Sequence, residues 1–145
     1  MTQEDKELLL KDLSARLLYG VKVQINSDVK KVVGVKNGFV VTKERGLFST
    51  KEYITRIECC IPYLRPMSSM TEEEKREYFS FIGGVRPFDC DFSAYPIEYK
   101  FVYEHDINSY IDWLNKHHFD YHGLIEKGLA LEAPKGMYNN NIKEI

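Results

Sequence analysis

The segment KVVGVKNGFVVTK constrains this chain more than any other. Asn37-Gly38 stands between two valine-rich runs, and both residues tolerate the positive φ that a two-residue type I′ turn demands. The spacing predicts a hairpin with strands at 29–36 and 39–43. VKVQI at 21–25 alternates apolar and polar residues, so Val21, Val23 and Ile25 share one face of a further strand. Glu44-Arg45-Gly46 reads as a second turn. Tyr53 to Leu64 reads as another strand or an extended crossing segment, broken at Pro62.

Helical signals flank this β region. Leu9, Leu10, Leu13, Leu17 and Leu18 form a stripe at helical spacing, behind Thr2 and Asp5 as a weak capping box and ahead of Gly20 as a stop. Arg65-Pro66 ends the β region, because a residue before proline avoids the helical conformation. Thr71 with Glu74 makes a full capping box for a helix that buries Tyr78, Phe79 and Ile82 and stops at Gly83-Gly84. Residues 85–97 read as irregular, Ile97–Tyr103 as a strand, and Asp106 as the cap of a helix carrying Ile107, Tyr110, Ile111 and Leu114. Phe119 to Leu131 reads as a short last helix or turn. The fold class that follows is a single α+β domain over 1–145: a small antiparallel sheet, a meander open to partial curling, packed by an N-terminal helix and two to three C-terminal helices. A polar tail that frays is expected from about 135.

Composition narrows the class of function. No apolar run approaches the roughly 18–20 residues of a spanning helix, so no membrane association is expected. The opening MTQEDKELLL carries acids where a secretory signal carries positive charge. Cys59, Cys60 and Cys90 are odd in number and lack C-x-x-C spacing, which points to reduced thiols and a cytoplasmic setting. The net charge is -2, but residues 21–56 hold eight basic residues against three acidic ones. That segment is the place to look for a nucleic-acid surface.

Three constellations bear on chemistry. In HHFDYHG, His118 and His122 share a face if the segment is helical, with Asp120 between them; this is the weak candidate for a metal centre and a small metal-dependent enzyme. Nothing else supports catalysis. Ser68-Ser69 lack a nucleophile elbow, Cys90 lies between Asp89 and Asp91, and there is no phosphate-binding glycine pattern. No cofactor is expected, and the reading favours a non-enzyme, with the small metal-dependent enzyme around HHFDYH kept as an alternative. The second constellation is aromatic. Tyr78, Phe81, Trp113, Phe119 and Tyr121 are the candidate residues of a surface that binds another protein or a second copy of the chain, because aromatics with polar tips favour interfaces. The third is basic. Lys30, Lys31, Lys36, Lys43 and Arg45, interleaved with Phe39, Phe48 and Tyr53, are the candidate nucleic-acid contacts, as in small sheets that stack bases.

YLRPMSSMTEEEKREY and DWLNKHHFDYHGLIEKGLALEAPKGMY, together with the opening helix and the VKVQI strand, resemble stretches of short proteins from gut Bacteroidetes, their phages and mobile elements. The resemblance covers both ends and the middle of the chain but not 85–105. It implies a bacterial or phage cytoplasmic setting and carries no activity, cofactor or catalytic residue. The expected function is therefore a non-enzymatic accessory protein acting by protein–protein interaction, with nucleic-acid binding through 21–56 as the alternative.

Overall fold

The computed structural model describes residues 1–81 and 107–138, with side chains from 1–78 and 110–138. Helix α1 (Gln3–Ala15) opens on a complete capping box, since the Thr2 hydroxyl accepts from the Asp5 amide and the Asp5 carboxylate accepts from the Thr2 amide. A 3-10 turn at Leu17–Tyr19 and left-handed Gly20 (φ 71°) then turn the chain into the sheet. The helix therefore ends three residues earlier than the leucine stripe suggests, and Leu18, expected on the apolar face, is exposed.

Strands β1 (Lys22–Ile25), β2 (Asp28–Lys36), β3 (Phe39–Arg45) and β4 (Thr50–Arg56) form an antiparallel meander. Asn37 and Gly38 have φ of 51° and 80°, the two positive values the hairpin turn requires. The run 53–64 is two elements and not one strand. A 3-10 turn at Ile57–Cys59 separates β4 from β5 (Ile61–Leu64), which returns to pair with β1. Pro62, expected to break the run, lies inside β5. Strand β6 (Leu131–Glu132) then adds to β5 in parallel, and a parallel bridge joins Arg65 to Phe119. The sheet is thus mixed, six strands in the order β4-β3-β2-β1-β5-β6, mostly antiparallel and not closed.

Each face of the sheet has its own character, because side chains alternate and directly opposed residues share a face. Val23, Val32 and Val40 point to one side, where Leu9 and Leu13 of α1 and Ile57, Leu64 and Leu124 complete the first core. The second core lies between α2 (Glu72–Phe81) and α3 (Ile107–Lys116): Met70, Tyr78, Tyr110, Trp113, Leu114 and Phe119. The Thr71–Glu74 capping box forms as expected. The expectations for 85–97, Ile97–Tyr103, Gly83-Gly84, Asp106, Asp89, Asp91 and Cys90 lie outside the described residues. The tail is not free as early as 135. Tyr138 is buried, and its hydroxyl donates to the Tyr63 carbonyl at 2.8 Å and accepts from the Lys22 amide at 3.0 Å.

Candidate functional site

The HHFDYHG segment is a structural knot that ties both cores together. Asp12 of α1 and Arg16, which caps its C-terminus, are fully buried and face each other as a bidentate pair, 2.7 and 3.1 Å, four residues apart. The Arg16 guanidinium also donates to the Phe119 carbonyl at 2.6 Å and lies over the Tyr121 ring. His122 Nδ1 meets the second Asp12 oxygen at 2.8 Å. Burial works against the Asp12 charge, but Arg16 and His122 together hold its carboxyl below the usual range. A second charged cluster sits on the other side of Phe119. Arg65 grips Glu74 with two hydrogen bonds of 2.7 and 2.8 Å and covers the Phe119 ring. His117 Nδ1 stands 3.4 Å from the same carboxylate, an ion-pair distance without a hydrogen bond. Desolvation raises the Glu74 carboxyl, and His117, Arg65 and the Thr71 cap reverse this and drive it far below its ordinary value.

This knot does not make the metal centre considered for His118, Asp120 and His122. Their side chains go to three separate tasks. His118 takes a left-handed backbone conformation (φ 61°) and stacks on Tyr138 at 3.6 Å, and burial beside Arg16 and Arg65 pushes its imidazole down to about 3. Asp120 caps the following turn by accepting from the Leu124 and Ile125 amides at 2.8 and 2.9 Å. His122 is held by Asp12. The segment is a turn and not the helix that would align the two imidazoles, and among the described residues no three His, Cys, Asp or Glu side chains converge.

Of the aromatic candidates, Tyr78, Trp113 and Phe119 are core, which corrects their assignment to a surface. Tyr78 and Phe119 are fully buried and Trp113 nearly so. Tyr78 packs on Tyr110 and Trp113, with the two tyrosine hydroxyls hydrogen-bonded to each other, and Trp113 stacks on Phe119 at 5.7 Å. Tyr121 is half-buried, its hydroxyl donating to Asn115. The side chain of Phe81 lies outside the described residues. Small α+β cores draw on aromatics for volume, and polar tips buried there find partners.

Leu18, Met1, Val29 and Val33 are exposed singly, and five further exposed apolar side chains lie on the β3–β4 hairpin. Leu47 is 96% exposed, Phe48 99% and Ile54 65%, and Tyr53 and Phe39 are also open to solvent. The tip is a tight loop in which the Gly46 amide donates to the Ser49 carbonyl at 2.8 Å. A Cβ at Gly46 would lie 2.8 Å from that carbonyl oxygen, so only glycine closes the loop and turns Leu47 and Phe48 outward. Among the described residues β4 has a strand neighbour on one side only.

The basic candidates divide between the two faces. Register puts Lys31, Lys36, Lys43 and Arg45 on the outward face, opposite Lys22, Phe39, Glu52 and Thr50 in turn. Phe39 opposes Arg56, which adds a further cation. Lys30 is on the core side of the sheet, at its margin, 3.6 Å from Glu44. Tyr53 opposes core-facing Thr42 and leaves the outward face, so the interleaving expected for the aromatics reduces to Phe39. A cleft of about 350 Å³ between α1 and the Asn37-Gly38 turn is lined by Gln3, Lys6, Arg56 and Glu58 among others, and Lys6 and Glu58 pair with each other at 2.7 Å.

No helix among the described residues is long and apolar enough to cross a membrane. Comparison of the chain with protein-family models, with curated proteins and with solved structures finds no match in any of the three. Sequence reasoning missed Leu47 and Ile54, and took Phe48 only as an aromatic beside the nucleic-acid candidates. The signal was present: GLFS puts two large apolar residues in a turn, where polar ones belong, and TKEYITR offers no clean apolar face at period two.

Proposed function

We propose that this chain is a non-enzymatic interaction module that docks on another polypeptide through its β3–β4 hairpin. The observation that carries the reading is the exposure of Leu47, Phe48 and Ile54 on one hairpin whose outer strand is, among the described residues, an open edge. Apolar side chains scattered singly are ordinary, but a cluster on an unpaired edge is a template for association. The docking residues are then Leu47, Phe48, Tyr53 and Ile54. The setting is the bacterial or phage cytoplasm, supported by the resemblance of the two long segments and by the unpaired Cys59 and Cys60. A photo-crosslinking residue placed at Ile54 in bacterial cells should form a polypeptide adduct that survives nuclease, while the same residue at exposed Glu4 of α1 should not. Equal labelling at both positions, or none at Ile54, would remove the hairpin from consideration.

A second reading has its own support. Lys22, Lys31, Lys36, Lys43, Arg45 and Arg56 share the outward face of the sheet with Phe39, against Glu52 alone among strand acids. A cationic sheet with one stacking ring suits single-stranded nucleic acid. Binding to a labelled oligonucleotide should then fall steeply with salt, and Lys36→Ala with Lys43→Ala should flatten the slope. Salt-independent or undetectable binding would retire it.

A further inference from the structure

We infer that the partner of the hairpin is a second copy of this chain, joined β4 to β4 in antiparallel fashion about a two-fold axis. The inference rests on the hairpin being a docking surface and names what docks there. Among the described residues the sheet has one long free edge, β4, of seven residues; the opposite edge is β6, of two. A long edge that pairs with itself closes the assembly at two copies and leaves, among the described residues, only the two-residue β6 edge.

Charge selects the register. With Ile54 opposite its own copy, Glu52 faces the partner's Arg56, Arg56 faces the partner's Glu52, and Tyr53 faces the partner's Thr55. This register aligns residues 52–56 and satisfies both charges twice over. Centring on Tyr53 sets Glu52 against the partner's Ile54. Centring on Glu52 or on Lys51 opposes like charges, which is destabilising. A register opposing Lys51 to the partner's Glu52 also matches charge, but it aligns only 50–53 and turns the two outward faces to opposite sides. Within the chain Glu52 and Arg56 are exposed, and neither makes an ion pair among the described residues. Both are therefore available to a copy. The same two-fold operation carries each Leu47–Phe48 tip toward the partner's 57–59 turn, at the far end of β4.

Sedimentation velocity over a dilution series tests the assignment. The native chain should show a concentration-dependent dimer. Glu52→Arg and Arg56→Glu should each weaken it by roughly tenfold, because two-fold symmetry counts each reversed pair twice. The double variant Glu52→Arg/Arg56→Glu should restore it, since the reversed charges again face opposite signs. Both positions of change are exposed, and unaltered far-ultraviolet circular dichroism would verify folding. A monomer at every concentration, single variants that dimerise like the native chain, or a double variant that fails to recover would each overturn the inference. If the chain is monomeric while the crosslinker at Ile54 captures a different polypeptide, self-pairing fails and the hairpin reading stands. If it is monomeric and Ile54 captures nothing, both fail.

Discussion

The knot around HHFDYHG and the β3–β4 hairpin treat polarity in opposite ways. At the knot, charges are buried and nearly all are matched: Asp12 with Arg16 and His122, Glu74 with Arg65, Asp120 with two backbone amides. At the hairpin, apolar side chains are left in water and the charges of β4 have no intrachain ion pair among the described residues. Buried polar groups are tolerated only when their partners are in place, so the knot is committed to folding. The hairpin contributes strand pairing to the fold and leaves its side chains for something else. Titratable residues crowded in sequence, as in HHFDYH, thus serve the folded core here.

The largest effect should come from breaking the knot. Arg16→Met leaves Asp12 buried without its main counter-charge and the Phe119 carbonyl without its donor. Loss of one member of a buried pair costs about 3–5 kcal/mol, a large part of the roughly 5–15 kcal/mol that stabilises a typical domain. Urea unfolding should show the midpoint collapse, and the double variant Asp12→Leu/Arg16→Met should recover part of the loss because no charge is then stranded. A midpoint within experimental error of the native value would mean that the pair does not knit α1 to the 117–125 segment.

The pH dependence of stability separates the two regions next. Folded His118 stays neutral down to about pH 3, whereas an unfolded imidazole protonates near 6.5. Between those values the unfolded chain binds the extra proton, so stability falls with falling pH by about 1.4 kcal/mol per unit. The contribution is complete above pH 6.5. Asp12 and Glu74, both depressed, act in the same direction at lower pH, their contribution being present above the normal carboxyl range and lost as they protonate. His118→Asn keeps a residue that accepts the left-handed backbone and removes the imidazole. Urea midpoints from pH 7 to 5 should flatten in this variant, and an unchanged slope would assign the dependence to another group.

Tyr138→Phe is expected to cost less, about 1–2 kcal/mol, since it removes one hydroxyl that serves the Lys22 amide and the Tyr63 carbonyl. The loss should appear as a lower thermal midpoint and as faster hydrogen exchange at Lys22. No change in either would show that the 134–138 segment is not fastened to the sheet through this group.

What the sequence disclosed follows the range of the forces involved. The Asn37-Gly38 hairpin, both capping boxes and the α2 and α3 spacings are local, and each was readable from a few neighbouring residues. The parallel addition of β6 to β5 was not, because Tyr63 and Leu131 are brought together by contacts 68 residues apart in the chain. Tyr138 was hidden for the same reason: a polar-looking tail gives no sign that one hydroxyl will satisfy two backbone groups. The basic face was legible in part. Alternation assigns Lys31 and Lys36 to opposite faces until the bulge between Val32 and Gly34 slips the register by one and brings them together. The docking aromatics were sought where aromatics are dense, but among the described residues the dense aromatics Tyr78, Tyr110, Trp113 and Phe119 form a core.

The smallest expected effect is the most discriminating for the comparison. Leu47→Ser with Phe48→Ser alters two side chains that are almost wholly in water, so the thermal midpoint should move by no more than about 0.5 kcal/mol is worth, one or two degrees in a domain of this size. Gly46 is kept, so the loop still closes through its bond to the Ser49 carbonyl. Association should nevertheless weaken, because the tip is carried to the partner's end of β4. Equal stability with weaker association would place the cost of these residues wholly outside the folded chain. A fall of several degrees would instead show that the pair stabilises the fold, and the hairpin would lose its claim to be a surface held for a partner.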